Sequence, residues 1–310
     1  MPIRLGYACI NMHLSETQKI TSSRTMRKAT FEAKGLPAVS ALIVSNLQSL
    51  QKIMQWNADN NFTLYRMSSD MFPWHSEYRW QDLPDYKLIR QMLERTGQFA
   101  IDNGIRLSFH PGQFVCLASK NPKVVDNATR DIEAHGTIMD WMLQPRDHNA
   151  KINIHIGGTY GGDFSNTADR WCRNFLKLSP NCQNRITVEN DDKASMWSTR
   201  HLYDYVHKVI RIPIVFDYHH HRFCTGGQTE SEAPQLAAST WHGVTPVVHL
   251  SESRREEQRD NKIKEQAHSD YIYKPVDNYG VKYDMMLECK MKEVALLKYR
   301  SILENEELVV

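Results

Sequence analysis

Apolar and polar positions alternate along this chain in two rhythms. Short runs rich in β-branched and aromatic residues recur. Each is followed by a longer stretch whose apolar residues return every three or four positions. The short runs predict strands over Ile3–Cys9, Phe62–Met67, Ile105–Phe109, Lys151–Ile156, Arg185–Val188, Ile212–Phe216, Pro246–Leu250 and Tyr283–Leu287. The longer pattern predicts helices over Pro37–Asn57, Asp85–Asn103, Val124–Leu143, Thr167–Leu178, Thr199–Val209 and Ala233–Thr240. A charged stretch follows at Arg254–Lys264, and a helix over Lys290–Glu304 closes the pattern. Pro37 suits a first helical turn, where a missing N–H breaks no bond. Eight strands alternating with helices over 310 residues predict an α/β fold, the TIM (β/α)8 barrel, with residues 1–310 as one domain. An open doubly wound sheet would usually show a glycine-rich nucleotide turn after the first strand, and GYACINMH has none. The segment Ser15–Gly35 is a polar insertion carrying Lys19, Arg24, Arg27, Lys28 and Lys34. It reads either as a solvated loop or as a phosphate contact.

The strand ends carry the chemistry. SFHPGQF puts His110 at the end of the third strand, and INIHIGG puts His155 at the end of the fourth. TVEND puts Glu189 after the fifth, and VFDYHHH puts Asp217 and His220 after the sixth. VVHLSE puts His249 at the seventh and MLECK puts Glu288 at the eighth. A barrel builds its site at the C-terminal ends of its strands, so these side chains are expected at one mouth. One histidine after an apolar strand is usually a scaffold residue. Six successive strands ending in imidazole or carboxylate point instead to Zn²⁺, Mn²⁺ or Fe²⁺. The ligand count suggests more than one ion. His110, His155 and Glu189 would hold the first. Glu189 would bridge to a second held by Asp217, His249 and Glu288, and His220 with His268 would define a third position. Clustered divalent ions are a usual device for phosphodiester hydrolysis. Counting does not decide which of His219, His220 and His221 turns inward.

Composition adds little. A net charge of +2 neither favours nor excludes nucleic acid, and 41% apolar with 24% charged residues fits a folded core. The six scattered cysteines form no CxxC pair, which favours free thiols. No apolar run spans a bilayer and MPIRLGYACI lacks a secretory core. The expected location is therefore intracellular, in the cytoplasm with the nucleoid.

The stretches RLGYACINM, RTMRKATF, YRMSSDMFPWHS, SFHPGQF, INIHIGG, VENDD, DYHHHRF, HLSE, HSDYI and MLECKMKE, in that order, resemble the UV damage endonucleases. The likeness runs from about Arg4 to Leu297. It implies a TIM barrel with a cluster of divalent ions, usually Mn²⁺, that nicks double-stranded DNA immediately 5′ of UV photoproducts and leaves 3′-hydroxyl and 5′-phosphate ends. It implies metal ligands at His110, His155, Glu189, Asp217, His220, His249, His268 and Glu288, with Glu189, His220 and Glu288 foremost in catalysis. It also implies that Gln113 and Phe114 enter the duplex opposite the lesion. Tyr7 and Asn11 match the family's pattern at the mouth, where they would shape the pocket for a flipped photoproduct or serve as a packed tyrosine and a turn asparagine. His75, Arg66 and Lys193 are further candidate DNA contacts, beside Ser68 and Ser69. Trp74 and Trp80 are open to either packing or DNA contact. Two departures stand out. Phe114 replaces a tyrosine common in the family, and Val247 replaces a lysine described as carboxylated and close to the metals.

Three other readings remain open at this level. An abasic-site endonuclease would share the barrel and its metals. A metal-dependent sugar isomerase would leave HPGQF, His220 and His268 unexplained. A lesion-binding protein without chemistry would not need eight ligands.

Overall fold

Each run with strand character contains a strand in the computed structural model, which describes residues 3–307. The strands are β1 (Leu5–Ala8), β2 (Leu64–Arg66), β3 (Arg106–Ser108), β4 (Ile152–Ile154), β5 (Ile186–Glu189), β6 (Ile214–Asp217), β7 (Val247–Leu250) and β8 (Asp284–Leu287). All neighbours pair in parallel, in the order β3-β2-β1-β8-β7-β6-β5-β4. A single parallel bridge, Phe109 to Ile152, joins the two ends. There the Phe109 N–H donates to the Lys151 carbonyl at 3.0 Å, and the Asn153 N–H donates to the Phe109 carbonyl at 2.9 Å. The result is a nearly closed eight-stranded TIM barrel. β5 and β6 run one residue past their expected ends, taking Glu189 and Asp217 into the sheet.

Strand alternation sorts side chains between two apolar regions. Ala8, Leu64, Val215, Trp241, Val247 and Met286 form a small cluster inside the cylinder. The larger core lies between the strands and the helical shell. Helix Tyr86–Asp102 shows how the shell forms. Ile89, Met92, Leu93, Thr96, Gly97 and Ala100 are buried at the three-to-four spacing of one helical face. A Cβ on Gly97 would meet the Met142 carbonyl oxygen at 1.8 Å, so glycine sets the approach to the end of helix Pro122–Trp141.

The polar insertion is more structured than a loop. Met12–Gln18 is helical, and helical backbone resumes at Lys28 and runs to Asp59. Gly35, at φ 60° and ψ −159°, breaks that span, a conformation glycine adopts without a Cβ clash. Pro37 therefore sits at the start of the segment after the break, as its fixed φ favours.

Candidate metal centre

All eight parallel strands end at one rim, six of them in candidate ligands, and the alternation that fills the cylinder with Val215 and Val247 also turns Asp217 and His249 inward. Two groups of ligand atoms result, each within 4.8 Å: His110, Glu189, His249 and Glu288, and Glu189, Asp217 and His220. Glu189 belongs to both. His110 Nε2 and His249 Nδ1 each lie 3.1 Å from Glu189 Oε2, and His249 Nδ1 is also 3.1 Å from Glu288 Oε1. His220 Nδ1 is 3.4 Å from Glu189 Oε1.

These are buried groups with unmet hydrogen-bonding capacity. His249 Nε2 and Asp217 Oδ2 have no hydrogen-bond partner, and His249 Nδ1 and Glu189 Oε1 have only the ionic neighbours just given. Buried polar atoms are rarely left in this state, so the donor set fits shared cations. Imidazole and carboxylate without thiolate is the set for Mn²⁺, Zn²⁺ or Fe²⁺.

Neighbouring groups fix the rings. His220 Nδ1 donates to the Asn190 carbonyl at 2.9 Å. His268 Nδ1 and Ser251 Oγ are 2.7 Å apart, and His110 Nδ1 lies 3.2 Å from the Pro111 carbonyl oxygen. His155 Nδ1 lies 2.8 Å from Asp191 Oδ1. Holding Nδ1 leaves Nε2 as the ligand nitrogen in these four rings. The grouping thus differs from the expected one, because Asp191 engages His155 while His249 and Glu288 join His110. His268 Nε2 approaches Glu288 Oε2 only to 3.9 Å.

The charges are strongly coupled. Burial opposes charging of His155, but Asp191, Glu189 and Glu288 overcome it and lift its pKa to about 9. His220 also rises to about 9, as Asp217 and Glu189 outweigh desolvation. His110 falls to about 4, mainly through burial. Glu189 and Glu288 are held well below the usual carboxylate range despite burial, Glu189 by His249 and His110 and Glu288 by Arg66 and His249. Burial pushes Asp217 the other way.

Of the three adjacent histidines, only His220 joins a ligand group. His219 packs edge-on against Phe223, and His221 lies 5.3 Å from the Phe216 ring. A cavity of about 500 Å³ opens over the cluster. Gln113, Phe114, Lys193, His110, His155, Glu189, His220, His268 and Glu288 are among its lining residues. Phe114 is 83% exposed, an unusual position for an aromatic side chain.

Four expected DNA contacts are engaged elsewhere. Tyr7 is fully buried; its hydroxyl donates to Asn57 Oδ1 at 2.6 Å and accepts from Asn11 Nδ2 at 3.0 Å. Asn11 Oδ1 caps helix Met12–Gln18 by accepting from the Leu14 N–H. Tyr7 sits out of phase with the inward Ala8, so it packs in the outer core. Arg66 forms a short ion pair with Glu288 and is therefore a partner of the cluster. His75 Nε2 bonds Asp131 Oδ2 at 3.1 Å and does not line the cavity. Ser68 is buried and caps a short turn, Trp74 stacks on Phe31, and Trp80 packs edge-on against Phe72 and Trp141.

Three supporting residues escaped the sequence reading. Asp191 holds His155 and accepts from the Trp197 N–H. Asn153 donates to Glu189 Oε2 while accepting from Thr187 Oγ1. Lys151 is fully buried, its Nζ has no hydrogen-bond partner, and burial drives its pKa down to about 7. The sequence held a signal: in KINIHI the polar residues Lys151, Asn153 and His155 alternate with isoleucines, marking an inward polar face. Val247, across from them in the apolar cluster, makes no polar contact through its side chain.

Fold and site together define a TIM-barrel protein whose mouth gathers imidazole and carboxylate groups that could hold metal ions. Its relatives fix the family. The family described as UV-endonuclease UvdE matches residues 3–309, and the chain belongs to it. The UV-damage endonuclease of Schizosaccharomyces pombe is 34% identical over 95% of this chain and 50% of its own length. The chain thus spans about half of that relative. A putative UV-damage endonuclease of Acanthamoeba polyphaga mimivirus is 30% identical over 96% of this chain and 90% of its own. The crystal structure of SacUVDE superposes with a TM-score of 0.83 at 28% identity, covering 99% of both chains.

Proposed function

We propose that this protein is a DNA repair endonuclease that nicks double-stranded DNA immediately 5′ of cyclobutane dimers and 6-4 photoproducts, leaving 3′-hydroxyl and 5′-phosphate ends. The observation that carries the reading is the convergence of His110, Glu189, His249 and Glu288 with Asp217 and His220 around buried, unpartnered ligand atoms. His155 and His268 flank them. Two or three Mn²⁺ ions held there would supply Lewis acidity toward a phosphodiester.

The protein's own groups do the rest. Three carboxylates at the mouth repel a polyanion, so the site accepts DNA only when that charge is balanced. Glu189, the residue common to both groups, fixes the spacing of the ligands. Arg66 neutralises Glu288. Exposed Phe114, with Gln113, takes the place of lost base stacking when the lesion is extruded, and damaged bases cost less to extrude. Phenylalanine supplies this stacking without the hydroxyl of tyrosine. Lys193, exposed on the cavity wall, contacts phosphate. The site of action is the nucleoid. Among the described residues no helix is long and apolar enough to cross a membrane.

The test is a UV-irradiated plasmid incubated with protein and Mn²⁺, with and without chelator, beside an abasic duplex. Nicking that requires the metal and prefers the irradiated plasmid is expected. Equal or greater cutting of the abasic duplex would replace this reading with the abasic-site one.

A further inference from the structure

The loop after β4, Gly157–Asp163, begins on the cavity wall and carries an aromatic side chain outward at its tip. Gly157 and Gly158 line the cavity, and Tyr160, two residues on, is 41% exposed at φ 51°. That left-handed backbone is uncommon for tyrosine. The loop is held on the side that precedes Tyr160. Trp197 Nε1 donates to the Gly157 carbonyl at 2.8 Å, and Thr159 Oγ1 donates to the Ser195 carbonyl at 3.0 Å.

Two cations meet this ring. Lys120 Nζ lies 5.0 Å from its centroid and Arg170 Cζ lies 4.9 Å away. Lys120 ends the loop that carries Gln113 and Phe114. Arg170 is tied to the same loop, since its Nε donates to the Ala118 carbonyl at 3.1 Å. Asp163 feels both cations, but its carboxylate caps helix Phe164–Phe175 by accepting from the Asn166 N–H. Among the described residues neither cation has a salt bridge. Two like charges gathered on one exposed ring repel each other, and a polyanion relieves that repulsion.

We infer that Lys120, Tyr160 and Arg170 form a backbone-gripping platform that binds the DNA phosphodiester chain beside the Gln113–Phe114 loop. The inference rests on DNA being the substrate. The platform is continuous with the cavity through Gly157–Gly158 on one side and Gln113–Val115 on the other. It reads charge and not bases, so it strengthens binding of damaged and undamaged duplex alike.

The experiment measures duplex affinity against salt concentration, with undamaged and UV-irradiated oligonucleotides and Mn²⁺-loaded protein. Each phosphate contact contributes about 0.9 to the slope of log affinity against log salt. Lys120→Gln should flatten the slope by roughly that amount, weaken both duplexes several-fold, and keep the ratio between them. Lys120→Arg should restore the slope. Tyr160→Ala, at an exposed position, should weaken both duplexes with little effect on melting temperature. A wild-type slope in Lys120→Gln, or failure of Lys120→Arg to restore a flattened one, overturns the platform. Absence of duplex binding by the wild-type protein would instead overturn the proposed function.

Discussion

The barrel buries charge at both ends, and the two ends treat it differently. At the foot, Arg106 is nearly enclosed. Its guanidinium donates to the Asn149, Thr245 and His148 carbonyls and to Asp284 Oδ2, all at 2.8–3.0 Å. Arg4 gives Asp284 a second cation at 3.3 Å. At the rim, Glu189, Asp217 and His249 keep buried atoms with no hydrogen-bond partner. Both ends pay for desolvation. The foot satisfies its donors and acceptors fully within the chain, whereas the rim pairs part of its charge, as in Arg66–Glu288, and leaves other ligand atoms without a hydrogen bond, so the foot is a strut and the rim is a socket.

The sharpest break of that comparison is Glu189→Gln. Loss of the shared carboxylate should reduce nicking and metal content by about 100-fold or more, the upper range for a perturbed metal site, with circular dichroism unchanged. Near-normal nicking would show that Glu189 is not a shared ligand. Arg106→Met should do the reverse. Leaving Asp284 with Arg4 alone should cost up to roughly 3–5 kcal/mol in denaturant unfolding, while metal bound per folded molecule is retained. If Arg106→Met instead emptied the rim without lowering stability, the division between the two ends would collapse.

The pH response sharpens the contrast. In metal-free protein His155 and His220 have folded pKa values of about 9, above the ordinary imidazole value. A raised folded pKa gives stability that is full below about 6.5 and is lost as pH climbs through 9. Metal requires the deprotonated rings. The melting-temperature gap between Mn²⁺-loaded and chelated protein should therefore widen from pH 6.5 to 9. A constant gap would remove these two histidines from the site. Lys151 tests the region between the ends. Its depressed pKa makes the folded state proton-poor between about 7 and 10.5, so its burial costs stability at neutral pH and less as pH rises. Lys151→Met should raise the metal-free melting temperature at pH 7 and have little effect near pH 10. The smallest effect is expected at the cavity lip. Gln113→Ala with Phe114→Ala should lower the damaged-to-undamaged binding ratio several-fold and leave metal content alone. An unchanged ratio would remove the probe.

The sequence made the rim legible because strand ends in a barrel share one destination, whatever their partners. It leaves the inward or outward phase of β1 undetermined, so Tyr7 reads equally as a mouth residue or a packed tyrosine, and the structure packs it with its hydroxyl on Asn57. Arg66 and His75 read as free DNA contacts for a related reason. A cation near the mouth looks free until its acid is found, and Glu288 and Asp131 lie 222 and 56 residues away in sequence. Asp191 went unnoticed because Glu189, two residues earlier, already accounted for VENDD.

The cylinder has one thin seam, where β3 and β4 touch through Phe109 and Ile152. His110 stands on the first side of it, and Glu189 on the second, one stave beyond β4. A metal ion held by both would act as a clasp across the join. Emptying the rim would then loosen the wall as well as silence the chemistry, and amide exchange should quicken first at Phe109 and Asn153.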